Sequence, residues 1–336
     1  MPGLRAIWAL CVTTSNIYDL VFGNSGYNKQ FNKPHTTFAQ QVDRLVQRGL
    51  IVKDIEKAKK QLEIIGYYRL SSYFFFLEEK NNDNSRSHKF KKDATFDDAI
   101  RLYVFDQKLR LLVMEAIERI EVALRSSWAH KMSECYGSHP HMDWTLFNDF
   151  NEYQESLNLL SRDVSPSRTL STEIKHYFNN YAIPPLPPIW MVTSSMNFGE
   201  LIRWIKNTKS SPVKLYVAKS VGIPNIDLFK GVTRNFQTLR NICAHHNRLW
   251  DRRFNTKLPL IGKHLISPMV ISQNNKTEAD NRVYNELLIL SHIMLKLSPS
   301  STWTKRIKEL VAESLKDNEQ AEIGFPRNWK NEKLWF

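Results

Sequence analysis

TFDDAIRLYVFDQKLRLLVMEAIERIEVALRSSWAHKMSECYG, Thr95–Gly137, carries an apolar residue every three or four positions along most of its length. Leu102, Phe105, Leu109, Leu112, Ala116, Ile120, Ala123 and Met132 lie near one stripe of a 3.6-residue period, the pattern of a helix that buries one side. Thr95 with Asp98 three positions on resembles a capping box with Asp in place of Glu, and Gly137 supplies a stop. The stretch predicts one long core helix from about Phe96 to Cys135.

The same signals recur on its N-terminal side. Thr36 or Thr37 caps FAQQVDRLVQR, which Gly49 stops, and Asp54 caps IEKAKKQLEII, which Gly66 stops. Together these predict a helical hairpin. YYRLSSYFFFLEE reads either as a strand or as the start of a buried helix, because periodicity cannot separate the two over so short a run. NNDNSRSHKFKKD, Asn81–Asp93, reads as a polar, basic loop.

Beyond Gly137, HPHMDWTLFNDF is expected as a loop, with helices over Asn151–Leu160 and Thr172–Tyr181. IPPLPPIW, Ile183–Trp190, is stiff and extended, because each proline fixes its own φ and restricts the residue before it. It is taken as a hinge. Helices are expected over FGELIRWIKN, over PVKLYVAKSVG and from about Asn225, then a long loop over 251–275 and two last helices near 278–296 and 303–317. The tail reads as loose, with Trp329, Leu334 and Trp335 able to dock. Eleven glycines in 336 residues and few β-branched alternations make the chain all-α. The expected organisation is a weakly structured leader over 1–30, an N-terminal helical half over 31–183, a C-terminal half over 184–300, and a terminal helix and tail over 301–336.

Composition bounds the function classes. A chain that is 42% hydrophobic, with 18 Phe and 9 Trp, is globular. No apolar run approaches the length a membrane helix needs. MPGLRAIWALCVTTS resembles a signal peptide, but its apolar core is short and no clean cleavage site follows, so it reads as a leader or a first short helix. Cys11, Cys135 and Cys243 are odd in number and far apart, which is no disulfide framework and fits a reducing cytoplasm. The net charge of +13 attracts polyanions.

The chemistry concentrates in RNFQTLRNICAHHNRLWDRR, Arg234–Arg253. Phe236, Leu239, Ile242 and Cys243 recur at helical spacing, while five arginines and two adjacent histidines crowd the rest. Arg240 and His245 form Arg-x4-His, with Asn241 directly after the arginine. Histidine can move a proton near neutral pH and arginine can hold a phosphate with two bonds, a pairing that suits metal-free cleavage of RNA through its own 2′-OH. Asn241 stands one helical turn before His245. Arg240 and His245, however, lie about 140° apart around a regular helix. Either the helix is irregular there or another copy of the motif completes the site.

Arg125 and His130 form a second Arg-x4-His, but Ser126, Trp128 and Ala129 around them look like ordinary packing. Glu115, Glu118, Arg119 and Glu121 read as a solvated, ion-paired face. Cys135, His139 and His141 lack an evident fourth zinc ligand and read as free loop residues. No phosphate-binding glycine loop, nucleophile elbow, HExxH or paired CxxC is present.

RNICAHHNRLWDR and, upstream, PPLPPIWMVTSSMNFGEL resemble the Abi-like family of bacterial abortive-infection proteins. So do GLIVKDIEKAKKQLEIIGYYRLSSYFFF and the core-helix stretch, in the family's order, over about residues 27–300. The resemblance implies the HEPN superfamily, an all-α multi-helix bundle here carrying an N-terminal helical extension. Many members are metal-independent ribonucleases with an Arg-polar-x3-His signature and no cofactor. It implies that Arg240, Asn241 and His245 are catalytic, that Arg125 and His130 are a looser second copy, and that the site is built from two facing copies, in a homodimer or within one chain. His246, Asn247, Arg248, Arg252 and Arg253 would position RNA, and a small non-coding RNA is an implied restraining or guiding partner. The expected function is a cytoplasmic HEPN endoribonuclease in antiphage defence. The alternative is a non-catalytic HEPN module that binds RNA or protein.

Overall fold

The computed structural model describes residues 34–81, 86–165 and 171–335, and the leader expected over 1–30 lies outside them. Thirteen α-helices and a two-stranded hairpin occur among the described residues. The fold is all-α.

The centre is α4, Phe96–Tyr136, 41 residues long and about 60 Å from end to end. Its cap is the predicted box: Asp98 N–H donates to Thr95 Oγ1 at 3.0 Å, and Thr95 N–H to Asp98 Oδ2 at 3.3 Å. Gly137 ends it with φ 85°, a left-handed backbone that a Cβ would strain. Leu102, Phe105, Leu109, Ala116, Ile120 and Met132 are buried as predicted, while Leu112 and Ala123 are only partly so. The buried set also includes Asp106, Arg110, Val113, Leu124 and Trp128. A single stripe is too narrow for this, because α4 is packed from several sides.

The N-terminal hairpin is α1, Phe38–Gln47, capped by Thr37, and α2, Ile55–Ile65, capped by Asp54. YYRLSSYFFFL forms α3, Tyr67–Leu77, with Leu70, Tyr73, Phe74 and Leu77 buried. Its aromatic density serves packing against α4. The polar stretch after it is not all loop: β1, Glu78–Lys80, pairs antiparallel with β2, Arg86–Phe90.

After Gly137 come α5, Phe150–Asp163, α6, Thr172–Asn180, and, past the prolines, a short α7, Ile189–Val192. Next are α8, Phe198–Asn207, α9, Ser211–Ser220, and α10, Ile226–Ala244. Then α11, Val283–Leu297, and α12, Trp303–Ser314, pack on α4, and a break separates α13, Asp317–Glu322. The buried side chains before and after residues 184–188 belong to one continuous core. The tail docks: Trp329 and Trp335 are each 1% exposed, and Trp329 meets Phe325 edge-on at 4.7 Å. No described helix is long and apolar enough to cross a membrane.

Candidate functional site

The site grows from the end of α10. Asn225 caps the helix by accepting from Leu228 N–H at 2.9 Å. Phe229, Val232, Phe236, Leu239, Ile242 and Cys243 are buried, and α10 packs on α4. This packing leaves Arg240 half-buried and Asn241 exposed.

The helix stops at Ala244, inside the motif. His245 is the capping residue, with φ −86° and ψ 11°. Its N–H still donates to the Asn241 carbonyl at 3.0 Å. His246 then takes a left-handed φ of 56°. His246 N–H reaches the Cys243 carbonyl at 3.0 Å and Asn247 N–H the Ile242 carbonyl at 2.9 Å, the paired bonds of a Schellman ending. Glycine normally fills that left-handed position, because a Cβ there costs about 1–2 kcal/mol. Here a histidine holds it. His245, His246 and Asn247 are all exposed on the turn.

Buried anchors fix the turn from behind. Asp106 of α4 is fully buried and accepts the N–H groups of Leu249 at 3.0 Å and Trp250 at 2.5 Å. The same carboxylate accepts the Tyr73 hydroxyl at 2.6 Å and pairs with Arg110, which is 5% exposed. Burial, with the neighbouring carboxylate, pushes the Tyr73 phenol far up, so it stays a donor. Arg69 of α3 donates to the His246 carbonyl, and Arg248 donates to the Ser72 carbonyl at 2.6 Å. Trp250 meets Phe76 and Phe105 edge-on at 5.4 and 6.0 Å. Burial pushes the Cys243 thiol up to about 12, which leaves it inert beneath the turn.

The expected site residues therefore separate. Arg240, Asn241, His245, His246 and Asn247 stand together at the helix end. Arg252 and Arg253 are exposed just beyond it, whereas half-buried Arg248 braces α3. No hydrogen bond joins the Asn241 amide to the His245 ring among the described residues; their link is through the backbone.

The second motif combines packing with a cavity. Arg125, Ser126 and His130 line one cavity of about 500 Å³ with Trp190, Thr193 and Ser194 from α7 and the turn after it. Trp128 does pack, fully buried, with its indole N–H on Thr208 at 3.0 Å. Arg125 pairs with Glu121 and donates to the Met196 carbonyl at 2.5 Å. Burial pushes the Glu121 carboxyl up, while Arg125 and then Arg240 pull it back down. The two motif arginines thus act on one half-buried carboxylate, which is not a solvated face residue. The histidine-bearing loop also departs from expectation. His141 is fully buried and its imidazole is pushed down to about 3 by burial and by the nearby His139. No three His, Cys, Asp or Glu side chains among the described residues are grouped to hold a metal.

The anchors were missed by the sequence reading. Asp106 and Arg110 sit four apart inside an apolar helix, a pair that could have been flagged as buried and partnered.

No curated protein and no solved structure matches the chain. The model of the Abi-like protein family matches residues 60–251, more than half of the chain, ending at the anchored turn. This protein therefore belongs to the Abi-like family.

Proposed function

We propose that this Abi-like protein is a metal-independent HEPN-type RNA endonuclease that acts in abortive infection. The observation that carries the reading is the presentation of His245 on an exposed turn, fixed from behind by Asp106 and Arg69, one helical turn after Asn241 and five residues after Arg240. In the reaction the ribose 2′-oxygen attacks the adjacent phosphorus and the 5′-oxygen leaves, giving a 2′,3′-cyclic phosphate and a 5′-hydroxyl. His245 takes the 2′-OH proton or protonates the leaving oxygen. Arg240 binds the phosphate and the charge that builds on it. Asn241 orients them, and His246, Asn247, Arg252 and Arg253 hold the flanking backbone, which the charge of +13 also favours.

The test is incubation of purified protein with mixed-sequence RNA in EDTA. Cleavage that leaves cyclic phosphate ends and is abolished by His245→Ala supports the reading. RNA binding without cleavage, persisting in cells under phage challenge, would sink it in favour of a non-catalytic module.

A further inference from the structure

The cavity that carries the second motif has the chemistry of a nucleotide site. One wall is Trp190, a tryptophan left 52% exposed while Trp128, Trp204 and Trp250 are each at most 1% exposed. The lining also includes exposed His130, whose ring lies 6.3 Å from that of Tyr216, itself 41% exposed. Ser126, Thr193 and Ser194 add hydroxyl oxygens that can accept hydrogen bonds. Arg125 is held in place by Glu121 and the Met196 carbonyl. An indole face, a row of small hydroxyls and a fixed guanidinium match, in turn, the face of a base, its edge and the phosphate attached to it.

We propose that this cavity is a subsite for one unpaired nucleotide of single-stranded RNA, its base stacked on Trp190 and its phosphate directed to Arg125. The proposal rests on reading the chain as an RNA-cleaving protein and names its substrate class. A base inside a duplex presents no free face to an indole, so a stacking platform selects strands that are unpaired at this point. Duplex RNA is therefore excluded from this subsite.

The experiment uses the full chain with His245→Ala, so that binding is read without cleavage. A fluorescein-labelled single-stranded oligoribonucleotide and the same strand annealed to its complement are titrated by anisotropy. The single strand is expected to bind at least ten-fold more tightly than the duplex. Trp190→Ala should weaken single-strand binding by about 5- to 150-fold, and Trp190→Phe should restore most of it, since stacking on an aromatic ring contributes about 1–3 kcal/mol per base. Equal affinity for the two forms, or Trp190→Ala binding as its parent does while keeping its circular-dichroism spectrum, overturns the subsite. Cleavage is followed in parallel with His245 intact. RNA cut by a chain in which Trp190 is dispensable removes the subsite and leaves the nuclease reading. Trp190-dependent binding of single strands with no cleavage does the reverse.

Discussion

Replacing Asp106 with Asn tests whether the turn is held as described. The substitution keeps the shape, and the remaining Oδ1 can still accept the N–H groups of Leu249 and Trp250. It removes the charge facing Arg110, and the new amide N–H₂ points at a guanidinium that only donates. Arg110 is 5% exposed, so water replaces the lost partner poorly. Breaking a buried ion pair from one side costs about 3–5 kcal/mol. Urea unfolding at neutral pH should show a loss of that size in Asp106→Asn, with the denaturant slope unchanged. Adding Arg110→Met removes the stranded cation and should recover about 1–3 kcal/mol, the usual range of coupling between touching residues. Hydrogen exchange at Leu249 and Trp250 should quicken in the single variant and slow again in the double one. A loss below about 1 kcal/mol, or two substitutions whose costs simply add, refutes the idea that this pair braces the site.

Other outcomes follow from the same physics. His246→Gly relieves a left-handed histidine and should stabilise the protein by about 1 kcal/mol in urea while weakening RNA binding; a destabilised variant contradicts the described ending. Glu286 is fully buried and burial alone pushes its carboxyl up to about 8, so the folded state keeps a proton that the unfolded chain releases. Stability should therefore fall as pH rises from about 4.5 to about 8, by at most about 4–5 kcal/mol at roughly 1.4 kcal/mol per pH unit, and Glu286→Gln should flatten that slope in urea midpoints taken across the range. His141 has the opposite sign: its folded form stays neutral down to about 3, so stability is lost as pH falls from about 6.5. His141→Phe should remove that acid-side loss, and an unchanged acid limb would count against its burial.

Much of the fold could be read from local chemistry. Thr37, Asp54, Thr95 and Asn225 announce helix starts because a side-chain oxygen must satisfy N–H groups that the helix leaves open. Endings at Gly66 and Gly137 were equally plain. What was hidden depended on distant partners. The breadth of the α4 core needs the helices of the C-terminal half to be seen. The hairpin of β1 and β2 is too short to carry a period. At the site, the cluster around His245 was legible from composition, but its geometry was not, since a Schellman ending with histidine in place of glycine has no sequence signature. The surroundings of Arg125 and His130 looked apolar because Trp190, Thr193 and Ser194 lie some sixty residues away.

The long central helix also has a consequence for timing. During synthesis Asp106 of α4 leaves the ribosome roughly 140 residues ahead of Leu249 and Trp250, so at about 5–20 residues per second it waits on the order of 7–30 s for the backbone groups it will hold. Until then the turn that presents His245 does not exist. A nascent chain stopped before Leu249 therefore carries the long helix and the buried carboxylate without the turn that they position.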